Sequence, residues 1–176
     1  MALNEYHDEY SESIESDFRK LEGGLLHDQV RLLAPSEPIK LAEDTTVHEA
    51  ITQMAEKRRA AVVIVDAAGR LVGIFTERDL LRRVAVPGRD PHHTRLAEVM
   101  TAKPEVLSPD DLICVAISRL HHAGFRTIPL VDEDGRPLGI MTVNDIVQWL
   151  AELFPEAIVN LPPHGGLKRP HETDAG

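Results

Sequence analysis

Gly73-Ile74-Phe75-Thr76-Glu77-Arg78-Asp79-Leu80-Leu81 reads as the end of a strand, a threonine, and the opening turn of a helix. Sixty-six positions on, the chain repeats the pattern as Gly139-Ile140-Met141-Thr142-Val143-Asn144-Asp145-Ile146-Val147. Both copies keep a glycine, two apolar residues, a threonine, and an aspartate three residues after it. Sliding the whole sequence by 66 extends the match without a gap. Pro38 falls on Pro104, Leu41 on Leu107 and Asp44 on Asp110; Val47, Ala50 and Ile51 fall on Ile113, Ala116 and Ile117. Ile64-Val65-Asp66 falls on Leu130-Val131-Asp132, and Gly69-Arg70 on Gly135-Arg136. Self-similarity at a fixed period marks a duplicated supersecondary unit.

Each unit reads β-α-β-β-α, which makes the fold class α+β. In the first, Ile39-Lys40-Leu41 is a very short strand, and Thr46-Val47-His48-Glu49 fits a capping box opening a helix. Ala61 to Val65 is a continuous apolar run suited to a strand covered on both faces. Asp66-Ala67-Ala68-Gly69 is a tight turn, Leu71 to Phe75 returns as the second strand of a hairpin, and a helix follows from Glu77 to Ala85. The second unit predicts a helix over about 110–122 that stops before Gly124, a hairpin of 128–131 with 138–141, and a helix from Val143 to about Phe154. Leu96 to Met100 reads as a short helical turn leading into it.

The expected division is an N-terminal helical extension (1–33), a first repeat (34–91), a second repeat (92–154) and a tail (155–176) that is partly disordered. In the extension, Leu3, Tyr6, Tyr10, Ile14, Phe18 and Leu21 recur at helical spacing. Gly23-Gly24 is expected to stop that helix, with a second short helix over 25–34. One apolar stripe needs a partner, either this chain's own repeats, a second copy or a foreign protein. In the tail, Pro155, Pro162, Pro163 and Pro170 oppose regular structure, while Ile158, Val159 and Leu161 are expected to pack back on the body.

Composition narrows the function. Of 176 residues, 43% are hydrophobic and 27% charged, an ordinary soluble mixture. No apolar run approaches the roughly 20 residues of a membrane helix, and the N-terminus lacks the basic and apolar stretches of a secretory signal. The single Cys114 suits a reducing, cytoplasmic setting. Net charge is −10, with −6 concentrated in residues 1–37. Nucleic-acid binding calls for a basic face, and Lys57-Arg58-Arg59 with Arg82-Arg83 reads more simply as solvated helix ends. No nucleophile elbow, phosphate loop or HExxH occurs, and the adjacent His92-His93 and His121-His122 lack chelating i, i+4 spacing. No catalysis, metal or required cofactor is expected.

A 60-residue β-α-β-β-α unit, present twice and ending in Gly-Ile-Phe-Thr-Glu-Arg-Asp, resembles the CBS domain; two in tandem resemble the CBS pair, or Bateman module. Val99-Met100-Thr101 resembles that family's lead-in to a repeat. The resemblance covers about 125 of the 176 residues. It implies a pseudo-two-fold pair with two small sheets and outer helices. It further implies a homodimer through helices 77–85 and 143–153, where Leu80, Leu81, Val84, Ile146, Val147, Trp149 and Leu150 supply apolar surface. Trp149 suits an interface anchor and the chain's own core equally.

The resemblance also implies a ligand. A helix start leaves N–H groups unpaired and presents a positive dipole end, which attracts phosphate. The threonine hydroxyl can donate to a phosphate oxygen, and the carboxylate can accept from two ribose hydroxyls. Thr76/Asp79 and Thr142/Asp145 are therefore the candidate ribose and phosphate residues for AMP, ADP, ATP or S-adenosylmethionine. Arg78, Lys40 and Arg126 are further phosphate candidates, and Arg78 favours the first turn over the second, where Asn144 replaces it. The adenine is expected near Ile39, Ala61, Val106 and Thr127. The resulting expectation is a non-enzymatic regulatory module that signals through conformation or through a partner docked on residues 1–33. The alternative is a ligand-free dimerisation scaffold, in which Thr-x-x-Asp only caps a helix.

Overall fold

The computed structural model describes residues 5–153, with side chains from residue 15. The expectations for the tail (155–176), and for Leu3, Tyr6, Tyr10 and Ile14, lie outside the described residues and side chains. The chain opens with α1 (Glu5–His27), a 3₁₀ turn (Val30–Leu33) and β1 (Lys40–Ala42), followed by α2 (Val47–Glu56). The hairpin β2 (Ala61–Val65) and β3 (Leu71–Thr76) leads into α3 (Glu77–Asp79), which continues as a π-helical turn, Leu80–Ala85. The second half runs α4 (Leu96–Val99), β4 (Thr101–Ala102), α5 (Ile113–Ala123), β5 (Thr127–Val131), β6 (Pro137–Thr142) and α6 (Val143–Leu153). Among the described residues no helix is long and apolar enough to cross a membrane.

Local chemistry accounts for most boundaries. Thr46 caps α2: its hydroxyl oxygen accepts from the Glu49 N–H at 3.2 Å, and the Glu49 carboxylate accepts from the Thr46 N–H at 3.1 Å. α5 ends where Gly124 takes a left-handed φ of 65°. The two hairpin turns are equivalent, with Gly69 and Gly135 at φ 79° and 78°. Pro87 lacks an N–H and cannot extend an α-helical ladder; before it the helix widens to a π turn, Val86 N–H donating to Leu81 O.

Two earlier expectations about residues 1–33 are corrected. Gly23-Gly24 does not stop the helix, and 25–34 is no second α-helix. α1 runs unbroken to His27 and only the 3₁₀ turn follows. The reason is tertiary: a Cβ on Gly24 would stand 2.7 Å from Cζ2 of Trp149, so the glycine admits the indole against the helix. Packing on α6 outweighs the roughly 1 kcal/mol propensity cost of glycine. Trp149 is correspondingly buried in the chain's own core, and its Nε1–H donates to Asp28 Oδ2 at 3.2 Å.

The two repeats exchange their lead-in segments. Val30 and Leu33 are buried in the second repeat's core with Leu107, Ile113, Ile128 and Trp149. Their counterparts 66 residues on, Leu96 and Val99, are buried in the first repeat's core with Val47, Ile64 and Phe75. The backbone bonds repeat with the same offset. Val30 N–H donates to Asp111 O and Arg31 N–H to Pro109 O; Leu96 N–H donates to Thr45 O and Ala97 N–H to Glu43 O. The sheets show the exchange too. β1-β2-β3-β4 form one sheet, so that β4, from the second lead-in, lies on β3. β5 and β6 form the other, flanked by Leu107 on β5 and by Ser36, from the first lead-in, on β6. This crossing explains the motif glycines: a Cβ on Gly73 would strike the Met100 side chain, and one on Gly139 would lie 3.2 Å from Pro35. Ala61, Val63, Ile74 and Ile140 join the sheets in a third, central cluster.

Candidate functional site

The strand-to-helix turns at β3–α3 and β6–α6 open into two clefts between the repeats. In the first turn, Asp79 Oδ2 accepts from the Thr76 N–H at 3.0 Å and from the Thr76 hydroxyl at 2.7 Å. The Asp79 N–H returns a bond to Thr76 Oγ1 at 3.3 Å. In the second, Asp145 Oδ2 accepts from the Thr142 N–H at 2.6 Å and the Thr142 hydroxyl at 2.9 Å. Each threonine hydroxyl thus gives its proton to its own aspartate; the first turn is a full capping box, and the second keeps only the carboxylate's bonds back to Thr142.

The second carboxylate oxygens differ. Asp79 Oδ1 lies 3.4 Å from Arg83 Nε and 3.4 Å from the Thr101 hydroxyl. Asp145 Oδ1 has no hydrogen-bond partner among the described residues. It can therefore accept a ligand's hydroxyls without breaking a bond.

The first cleft encloses about 420 Å³. Thr76, Arg78, Asp79, Arg82, Arg83 and Phe125 line it, with Glu77, Glu105, Arg126 and Thr127. Arg78 reaches across the repeats to donate to Gly124 O at 3.3 Å. The second cleft, about 390 Å³, is lined by Thr142, Asn144 and Asp145 together with Arg58, Arg59, Arg126, Ala61 and Thr127. Ala60, Arg126 and Thr127 border both. Residues 60 and 126 are repeat counterparts, so the pseudo-two-fold axis passes between the clefts at the starts of β2 and β5.

Thr76, Asp79, Arg78 and Arg126 therefore meet in one cleft, and Thr142, Asp145 and Arg126 in the other. Lys40 does not join them. It is exposed on β1, opposite Val63, and borders neither cleft. Ile39 is buried in the first core, and Val106 also borders neither cleft, which leaves Ala61 and Thr127 of the expected base contacts. Sequence reading missed Arg58 and Arg59 as cleft residues. They follow the end of α2, 86 and 85 positions before Asn144, and only the docking of the repeats brings them to the α6 turn. The one local signal is Arg58 itself, a non-glycine at φ 52° where the other repeat has Gly124.

The CBS domain profile matches residues 32–86 and again 96–152. The chain belongs to the CBS domain family and carries the domain as a tandem pair, a regulatory module. CBS domain-containing protein CBSCBSPB2 of Arabidopsis thaliana is 33% identical over 114 residues, 65% of this chain and 21% of that protein. The chain thus spans about a fifth of the length of such plant relatives. Among solved structures, the CBS-domain containing protein ATU1752 from Agrobacterium tumefaciens is 27% identical with a TM-score of 0.62, over 69% of this chain and 97% of that one. The cytosolic domain of the Mg²⁺ channel MgtE, solved in complex with ATP, is 29% identical with a TM-score of 0.55, over 64% of this chain and 44% of that one.

Proposed function

We propose that the chain is a non-enzymatic sensor that binds an adenosine-containing ligand, from among AMP, ADP, ATP and S-adenosylmethionine, between its repeats. The observation that carries this is the pairing of each Thr-x-x-Asp turn with at least one arginine of the opposite repeat, Arg126 in the first cleft and Arg58 and Arg59 in the second, in a cleft of nucleotide size. The ATP held by the MgtE cytosolic domain supports the same ligand class. The aspartates take the ribose, the arginines take phosphate, and Ala61 and Thr127 flank the base. Ligand in the second cleft touches Ser36, three residues beyond the turn that seats Leu33 in the second core. Binding there biases the docking of α1, and with it the surface that residues 1–33 offer a partner. It does so only as far as the ligand prefers one arrangement.

The assembly in this reading is a homodimer in a reducing cytoplasm, formed through helices 77–85 and 143–153. Its support is the apolar surface left there once Trp149 is buried: Leu81 is 60% exposed and Val147 57%. The same surface favours the second reading, a dimerisation scaffold that needs no ligand. Thermal unfolding decides between them. A ligand at 100 times its dissociation constant adds about 2.7 kcal/mol. A raised melting temperature with any of the four compounds supports the sensor; no rise with all four at 1 mM leaves the scaffold.

A further inference from the structure

Resting on the nucleotide reading, we infer that Arg58, Arg59 and Arg126 form a polyphosphate subsite in the second cleft, and that each chain takes one polyphosphate nucleotide, in that cleft. Arg78 made the first turn the expected site for a charged ligand, yet its guanidinium is turned toward the other repeat, where Nη1 donates to Gly124 O. Arg83, also in the first cleft, is held by Asp79 and by the carbonyls of Val99 and Met100. Three carboxylates, Glu77, Asp79 and Glu105, border that cleft. Only Arg82 and Arg126 remain there without a side-chain partner among the described residues.

The second cleft is the reverse. Among the described residues, Arg58, Arg59 and Arg126 border it, none engaged through its side chain, and Asp145 is the one carboxylate there. Charge-assisted bonds from planar guanidinium groups are the preferred means of holding phosphate oxygens. Asp145 Oδ1, free for a ribose, completes the arrangement. Arg126 borders both clefts. Once it closes on a phosphate in the second, the first retains Arg78, Arg82 and Arg83 against three carboxylates, with no net positive charge. That balance disfavours a second polyphosphate.

The test is calorimetric titration of the full chain with ATP and with adenosine, in wild type, Arg58→Gly and Arg59→Gln. Glycine suits the left-handed backbone at 58, so that variant keeps or raises its melting temperature. Arg59→Gln leaves the backbone choice untouched. One ATP per chain is expected, bound about tenfold more weakly in each variant, with adenosine affinity unchanged. Two equivalent ATP sites per chain, ATP no tighter than adenosine, or ATP affinity unchanged in both variants overturns the inference and leaves the nucleotide reading standing. Equal losses of ATP and adenosine binding mark a structural effect and overturn it likewise. If neither ATP nor adenosine binds, nor AMP, ADP or S-adenosylmethionine, the nucleotide reading itself falls and takes the inference with it.

Discussion

Gly23 and Gly24 are adjacent in one helix and answer to different forces. Nothing lies within 4 Å of a Cβ placed on Gly23, whereas one on Gly24 meets the Trp149 ring. Gly23→Ala is therefore expected to stabilise the fold by up to about 1 kcal/mol through helix propensity. Gly24→Ala, with the same propensity gain, is expected to destabilise it by about 1 kcal/mol net, because overpacking costs about 1–3 kcal/mol. Urea unfolding of the two variants checks the opposite signs. At this scale the sequence speaks clearly when cause and effect are neighbours. The Thr46–Glu49 box and the Gly124 stop are local, and were legible. Gly24 was misread because its partner stands 125 positions away. The candidate-site residues divide the same way. Thr76, Asp79, Thr142 and Asp145 could be read from their spacing, while Arg58 and Arg59, just past the end of α2, could not.

At the scale of elements, the strands and helices followed from apolar patterning, and the exchange of lead-ins did not. Val30/Leu96 and Leu33/Val99 match at the repeat offset, but spacing alone does not say which core each enters. Trp149 ties α6 to α1 and to Asp28, so Trp149→Ala should cost about 3–5 kcal/mol, as for a large core truncation. Chemical denaturation reads that loss. The linker between the repeats carries a weaker, pH-dependent tie. The His93 ring bonds the Asp90 carboxylate at 2.6 Å and the His92 N–H adds a second bond, which together hold Asp90 below the usual carboxylate range. A carboxyl group whose folded-state pKa is depressed stabilises above its unfolded value and loses that contribution as pH falls through the folded one. The gap in melting temperature between wild type and Asp90→Asn should be full at pH 7 and close in acid, as pH falls below the ordinary carboxylate range. A gap that persists in acid assigns the effect to shape instead.

For the whole molecule, the duplication decides the architecture. One unit read twice supplied the fold class, the two hairpins and the pair of turns, and the CBS resemblance supplied the two sheets. What lay beyond reach was the inequality of the clefts, since it depends on which arginines are engaged by backbone carbonyls 46 and 16 positions away. Assembly is tested on the outer helices. If helices 77–85 and 143–153 form a homodimer, Leu81→Glu with Val147→Glu should yield a folded monomer by sedimentation velocity. An unchanged dimer moves the interface elsewhere.

The most direct test of the central claim is a titration of ATP into wild type and Asp145→Ala by isothermal calorimetry. If the Thr-x-x-Asp turns hold the ribose of an adenosine ligand, wild type binds and Asp145→Ala loses about tenfold or more in affinity, for the carboxylate's charge-assisted bonds are gone. Wild-type affinity retained both by Asp145→Ala and by an Asp79→Ala, Asp145→Ala double variant, with both still folded, would contradict it.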